Sequence, residues 1–332
     1  MKLAVAVALL LGGCVAGTLS PPPGGAALRP PQLVEDALIA EDGARLPMRE
    51  WLPEAPVAAT ILAVHGFNDY SNAFAGPAAE WARHGIATFA YDQRGFGEAP
   101  DRGRWVGTQR LGEDLVIASQ LVARRYSTVP HFILGESMGG AVVIAAMTGI
   151  DGIPKPVADG AILSAPAVWG RARMNIFERS ALWLGVKMAP GMTLSGSGLH
   201  IQASDNIEML RALGRDPLVI KATRVDTIKG LVDLMDEALD AAPYLRGPTL
   251  LLYGAHDEII PPDPIRQFVA DLPKEGAGER RIAYYEKGYH MLLRDLEAPL
   301  VMRDVESWIA DSKAPLPSGA DRDALAFLSE GS

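Results

Sequence analysis

Ser137 lies in Gly135-Glu136-Ser137-Met138-Gly139, with small residues two places before and two places after it. An apolar run, His131-Phe132-Ile133-Leu134, leads into this segment, and an Ala/Val-rich helical stretch follows it. A sharp strand-to-helix turn here would strain the serine backbone, lift the hydroxyl above a sheet and set it at the positive end of a helix. Glycines at the flanking positions avoid clashes in so tight a turn. Serine is a weak nucleophile and needs a base. On a turn of this kind the partners follow in chain order, first an acid and then a histidine. Only His200, His256 and His290 come after Ser137. His290, in Gly288-Tyr289-His290-Met291, follows the late run Arg281–Tyr285 and is the expected base, with His200 and His256 read as surface or locally hydrogen-bonded residues. Asp257, in the segment Gly254–Pro261, follows the run Thr249–Tyr253 and is expected to fix the imidazole tautomer and stabilise its cation. The adjacent Glu258 reads as a solvated loop carboxylate.

Attack on an acyl carbon creates an oxyanion that needs two preorganised donors. The backbone N–H of Met138, directly after the serine, is one. The other is expected from Phe67, in Val64-His65-Gly66-Phe67-Asn68, where Gly66 permits close backbone approach. His65 is read as structural. Asn68 and Asp69 either touch substrate or cap a helix starting near Ser71.

These residues need a scaffold. Thr60–Val64, Ile86–Tyr91, His131–Leu134, Gly160–Leu163, Thr249–Tyr253 and Arg281–Tyr285 are short apolar runs suited to strands buried on both faces. Between them lie stretches with apolar spacing near 3.6, such as Leu111–Tyr126 and Val301–Ile309. Strands alternating with helices imply a mostly parallel sheet flanked by helices. The alternation fails over 168–242, where no strand run is visible. That segment is expected to be a helical cap dividing the core into 32–167 and 243–312. Its apolar residues, among them Met174, Phe177, Leu182 and Trp183, are either acyl-pocket lining or core packing. Residues 313–332 read as a weakly ordered tail with one short helix.

The composition, 48% hydrophobic and 21% charged over 332 residues, supports a sizeable core. A net charge of −9 with no basic block argues against a nucleic-acid partner. The six histidines show no metal-ligand spacing, and no metal or organic cofactor is implied. The single cysteine, Cys14, cannot form an internal disulfide. It ends a segment (1–14) in which Lys2 precedes an apolar run, Leu3–Leu11, too short to span a bilayer. Leu11-Gly12-Gly13-Cys14 resembles a bacterial lipobox, which implies export, lipidation of Cys14 and, with Val15 following, the periplasmic face of the outer membrane. An ordinary cleaved signal, giving a soluble periplasmic or secreted protein, is the alternative. Residues 15–31, rich in Pro and Gly, would tether the domain to that anchor.

Taken together, His65-Gly66-Phe67, the segment Tyr91–Gly97, Gly135–Gly140, Gly254–Pro261 and His290 resemble the monoacylglycerol lipase and lysophospholipase group of α/β-hydrolases, classed with the serine aminopeptidase-like enzymes. The resemblance spans roughly 34–311 and includes a cap placed as here, with Asp205–Val219 as its back half. It implies the α/β-hydrolase fold, an acyl-serine mechanism and structural roles for Asp92 and Arg94. The loop after Phe67 lacks the Gly-Glu-His common in monoacylglycerol lipases, and Glu98-Ala99-Pro100 replaces the usual Ser after Gly97. The expected reaction is hydrolysis of a lipid-like monoester. Amide or peptide hydrolysis, acyl transfer, and a non-catalytic binding lipoprotein are the alternatives. Dehalogenase and epoxide-hydrolase chemistry is disfavoured, because those branches carry Asp where Ser137 stands.

Overall fold

The computed structural model describes residues 25–171, 174, 176–196, 198, 201–274 and 278–329. The chain opens with three strands, β1 (Gln32–Val34), β2 (Ala37–Ile39) and β3 (Arg45–Trp51). Then come β4 (Ala59–Val64), α1 (Ala75–Arg83), β5 (Ile86–Tyr91), α2 (Thr108–Arg125), β6 (His131–Glu136), α3 (Met138–Thr148) and β7 (Gly160–Ser164). The middle segment holds α4 (Ile176–Met188), β8 (Thr193–Ser195), α5 (Ile207–Arg215), β9 (Ala222–Arg224) and α6 (Val225–Asp240). The chain returns to the core as β10 (Thr249–Gly254), α7 (Pro262–Asp271), β11 (Arg280–Tyr285), α8 (Ala298–Ala310) and α9 (Ala320–Ser329).

Nine strands form one sheet in the order β1-β2-β3-β5-β4-β6-β7-β10-β11. From β5 to β11 every pairing is parallel, and β1, β2 and β3 add an antiparallel edge. Strand alternation sends side chains to two separate cores. Leu62 and Val64 of β4 and Leu251 and Tyr253 of β10 pack with α2, α3 and α6. Ile61, Ala63, Leu250 and Leu252 face the other way, towards Trp81 of α1 and Trp308 of α8. Burial on both faces explains why these strands read as unbroken apolar runs. The chain reverses its winding between β4 and β6, so the loops leaving their carboxyl ends flank a topological switch point, where such sheets place ligands.

Three sequence expectations are corrected. The 168–242 segment contains two short antiparallel strands, β8 and β9, paired Thr193 to Arg224. Their three residues each are too few for a periodic signal. Within the same segment, α6 is partly a core helix: Leu234, Met235 and Ala238 are buried against the main cluster, and a side chain on Gly230 would strike the Trp105 ring. Residues 313–329 form no loose tail. In α9, Ala320, Ala324 and Phe327 are buried, and Phe327 stacks on Tyr284 at 4.6 Å, closing the sheet edge at β11. Cys14, the 1–14 signal and most of the 15–31 tether lie outside the described residues.

Candidate active site

β6 delivers Ser137 into a left-handed backbone conformation, φ +53° and ψ −116°. Such a conformation is costly for a residue with a Cβ and persists only where its surroundings over-determine it. Here the Ser137 N–H donates to the Ser164 carbonyl at 2.9 Å, and its own carbonyl accepts from Ala167 N–H at 3.0 Å. The turn is tight enough to exclude side chains. A Cβ on Gly139 would lie 2.0 Å from the Val64 carbonyl oxygen. The elbow therefore rests directly on the end of β4, and a Cβ on Gly66 would sit 3.4 Å from that of Ser137. Gly66 and Phe67 border the same cavity as Ser137. Among the described residues, neither the Phe67 nor the Met138 amide donates to another backbone carbonyl. The Met138 amide also belongs to the first turn of α3, where the helix dipole favours negative charge.

The loops after β10 and β11 meet beside the elbow. His290 Nδ1 lies 2.8 Å from Asp257 Oδ2, and both side chains are buried. The other Asp257 oxygen accepts the backbone N–H groups of Ile259 at 2.8 Å and Ile260 at 2.9 Å. Among the described residues no backbone N–H reaches Oδ2, so that oxygen accepts a proton-bearing Nδ1, which makes Nε2 the basic nitrogen. Ser137 and His290 open onto one cavity of about 420 Å³, with Gly66 and Phe67 on its wall. Apolar side chains of α6 (Ile228, Leu231, Val232, Met235) close it from above, together with Trp169 and Met174.

The other sequence-marked residues fall into supporting places. His65 is fully buried; Gln93 N–H donates to its Nε2 at 3.0 Å, so Nδ1 carries the proton and donates to the Gly66 carbonyl at 2.8 Å. Burial lowers its pKa, against the opposing pull of the Gly66 carbonyl and of Asp92, and the ring stays a neutral strut under the loop that carries Phe67. Asp92 accepts from Ser71 N–H at 3.0 Å, Ser71 Oγ at 2.6 Å and Glu98 N–H at 2.9 Å. Arg94 holds Asp42 and Asp114 in two-pronged pairs behind that loop. Asn68 and Asp69 do not cap the helix near Ser71, because Asp92 already satisfies its first N–H. Asn68 Nδ2 instead donates to Thr223 Oγ1 at 2.7 Å, and Asp69 turns to Arg294. His256 is exposed and lies against Tyr289, while Glu258 accepts the Gln202 N–H at 2.7 Å and so anchors the middle segment. His200 lies outside the described residues.

Several supporting residues escaped the sequence reading. Tyr70 OH donates to Asp216 Oδ2 at 2.7 Å; burial, then that bond, push its pKa up to about 12. Ile220 N–H donates to the Asn68 carbonyl at 2.9 Å. Ser204 Oγ donates to Asp295 at 2.6 Å, while the other Asp295 oxygen takes the Tyr289 N–H at 2.7 Å, next to His290. The middle segment is thus stitched to both the loop after β4 and the loop that carries His290. Of the apolar residues that the sequence marks in this segment, Met174 lines the cavity. Phe177 and Trp183 of α4 are mainly solvent-facing, and the wall comes from α6.

A serine on a strained strand-to-helix turn, beside an Asp–His pair at the carboxyl ends of a parallel sheet, defines an α/β-hydrolase, and the protein is a serine hydrolase. Residues 55–297 match the model of the serine aminopeptidase S33 family, to which the chain belongs. It is similar to the monoacylglycerol lipase of Mycolicibacterium smegmatis, 26% identical over 290 residues, covering 83% of this chain and 96% of that one. It is also 25% identical over 277 residues to an uncharacterised abhydrolase-domain protein of Dictyostelium discoideum, spanning 82% of this chain but 28% of that longer one. The fold resembles that of a soluble variant of monoglyceride lipase from Saccharomyces cerevisiae bound to a substrate analogue. The TM-score is 0.70 at 19% identity, over 88% of this chain and 99% of that one.

Proposed function

We propose that the protein hydrolyses carboxylic monoesters of medium- or long-chain acyl groups, of the monoacylglycerol or lysophospholipid type, through an acyl-serine at Ser137. The observation that carries this reading is the apolar cavity over Ser137 and His290. Its volume falls in the roughly 300–1,000 Å³ range of small-ligand sites, and each buried CH₂ of a guest is worth about 0.8 kcal/mol. Similarity to monoacylglycerol lipases supports the same substrate class. In the proposed reaction His290 Nε2 takes the Ser137 proton as Oγ adds to the ester carbonyl. The Phe67 and Met138 amides hold the oxyanion, each worth about 3 kcal/mol of barrier. The C–O bond to the alcohol breaks, and His290 protonates the leaving oxygen. A water then gives its proton to His290, attacks the acyl-serine and releases the acid, restoring Ser137. Asp257 stabilises the imidazolium in both steps.

The test is a chain-length series of p-nitrophenyl esters with aminoacyl p-nitroanilides alongside. Rates should rise from acetate to octanoate or beyond. Fastest turnover of acetate with negligible rates past octanoate, or preference for the anilides, overturns the reading. We also propose, on the sequence Leu11–Cys14, that the chain is exported and lipidated at Cys14 to sit on the periplasmic face of the outer membrane. Radiolabelled palmitate should enter the chain and be lost in Cys14→Ser; equal labelling of the variant would remove the anchor.

A further inference from the structure

One buried side chain reaches all three loops that carry the proposed machinery. Arg294 lies four residues after His290 on the same loop. Its Nη1 donates to Asp69 Oδ2 at 2.7 Å, and its Nη2 donates to Glu136 Oε1 at 2.5 Å. Asp69 is two residues beyond Phe67, and Glu136 immediately precedes Ser137. The three side chains are 9%, 8% and 2% exposed, so water does little to screen them, and all three border the catalytic cavity. Burial works to lower the Arg294 pKa, yet Glu136 and Asp69 raise it above its ordinary value, so the guanidinium stays charged.

A cluster of this kind is weak evidence of stabilisation, because the desolvation of three charges offsets much of their attraction. It does supply geometry. A planar guanidinium presents its donors in a fixed fork, and two carboxylates seated on that fork are held at a set distance and angle. Among the described residues Glu136 Oε2 and Arg294 Nε have no hydrogen-bond partner, so the link rests on the two bonds named above. Each of them joins a different loop to the histidine loop.

We propose that Arg294 is a positioning residue whose guanidinium fixes the oxyanion loop, the serine elbow and the histidine loop relative to one another. The inference rests on the reaction proposed above. It assigns Glu136, the first x of the Gly-x-Ser-x-Gly segment, and Asp69 as the two anchors of that clamp. Displacement of a reacting group by about 1 Å costs on the order of 10²-fold in rate, and the clamp prevents such drift among groups on three separate loops.

The experiment uses the full chain, wild type against Arg294→Lys and against the triple variant Asp69→Asn/Glu136→Gln/Arg294→Met. The triple variant leaves no charge unpaired, so its Tm should stay near that of wild type. Its kcat on p-nitrophenyl octanoate and its rate of labelling by a fluorophosphonate should both fall by about 10²-fold, with KM within a few-fold. Arg294→Lys keeps the charge but not the fork, and should lose about tenfold in kcat with little change in Tm. A folded triple variant with wild-type kcat and labelling rate overturns the clamp. If the triple variant does not fold, wild-type kcat in Arg294→Lys overturns it instead. Failure of the wild-type chain to label at Ser137 would count against the proposed reaction rather than the clamp.

Discussion

Asp257→Asn tests the proton arrangement most sharply, because the structure dictates how the new amide must sit. Asp257 Oδ1 accepts two backbone N–H groups, from Ile259 and Ile260. An asparagine can keep both bonds only by placing its carbonyl oxygen there. Its NH₂ group then takes the Oδ2 position, 2.8 Å from His290 Nδ1. Two donors cannot face each other, so Nδ1 must give up its proton and accept. The proton moves to Nε2, the nitrogen that should receive hydrogen from Ser137. The enzyme is left with its geometry intact and its base in the wrong tautomer. For the equivalent change in other serine hydrolases the loss is about 10⁴-fold in kcat, on the order of 5 kcal/mol of barrier. The assay is kcat on p-nitrophenyl octanoate at neutral pH, with a thermal melt of each sample. Asp257→Ala should also be inactive, but it strips the acceptor from two amides, one of them buried, and should melt earlier. The isosteric variant should separate the two effects. An Asp257→Asn enzyme within tenfold of wild type would refute the tautomer argument.

Other consequences follow from packing and burial. Gly139→Ala places a methyl 2.0 Å from the Val64 carbonyl oxygen, so it should cost about 3 kcal/mol or more in urea unfolding; a wild-type midpoint would contradict the close approach. Phe327→Ala removes the ring stacked on Tyr284 and beneath Arg266, and should cost about 3–5 kcal/mol. A loss below 1 kcal/mol in denaturant titration would mean that α9 is not docked. Burial lowers the His131 pKa to about 4 from 6.5. The unfolded chain therefore takes up this proton first, and the contribution is complete above pH 6.5 and lost as pH falls towards 4. That change amounts to about 3 kcal/mol. His131→Leu should accordingly lose less stability than wild type between pH 6.5 and 4.5, and parallel losses would disprove the assignment.

The parallel part of the sheet was legible because strands buried on both faces leave unbroken apolar runs, as Thr60–Val64 and Thr249–Tyr253 do. The antiparallel edge was not. β3 mixes Arg45, Pro47, Arg49 and Glu50 among its apolar residues, and β1 and β2 have three residues each. Ser137 and the Asp257–His290 pair were readable from local surroundings, since each follows its own strand. The residues that hold them in place were not, because their meaning is spatial. Arg294 reads as a solvated charge until Asp69, 225 positions away, and Glu136, 158 positions away, are brought to it. Asp216 and Thr223 likewise gain their roles only where the middle segment crosses the loop after β4. A signal for α9 was present, however: Ala320, Ala324 and Phe327 recur at helical spacing and form its buried face.

The most direct test of the account is the site of covalent modification by a fluorophosphonate, read by peptide mass spectrometry on the full-length chain. The account predicts one phosphonyl group, carried by Ser137 Oγ, with esterase activity lost in proportion to its incorporation. A label on another residue, or undiminished ester hydrolysis by Ser137→Ala, would contradict it.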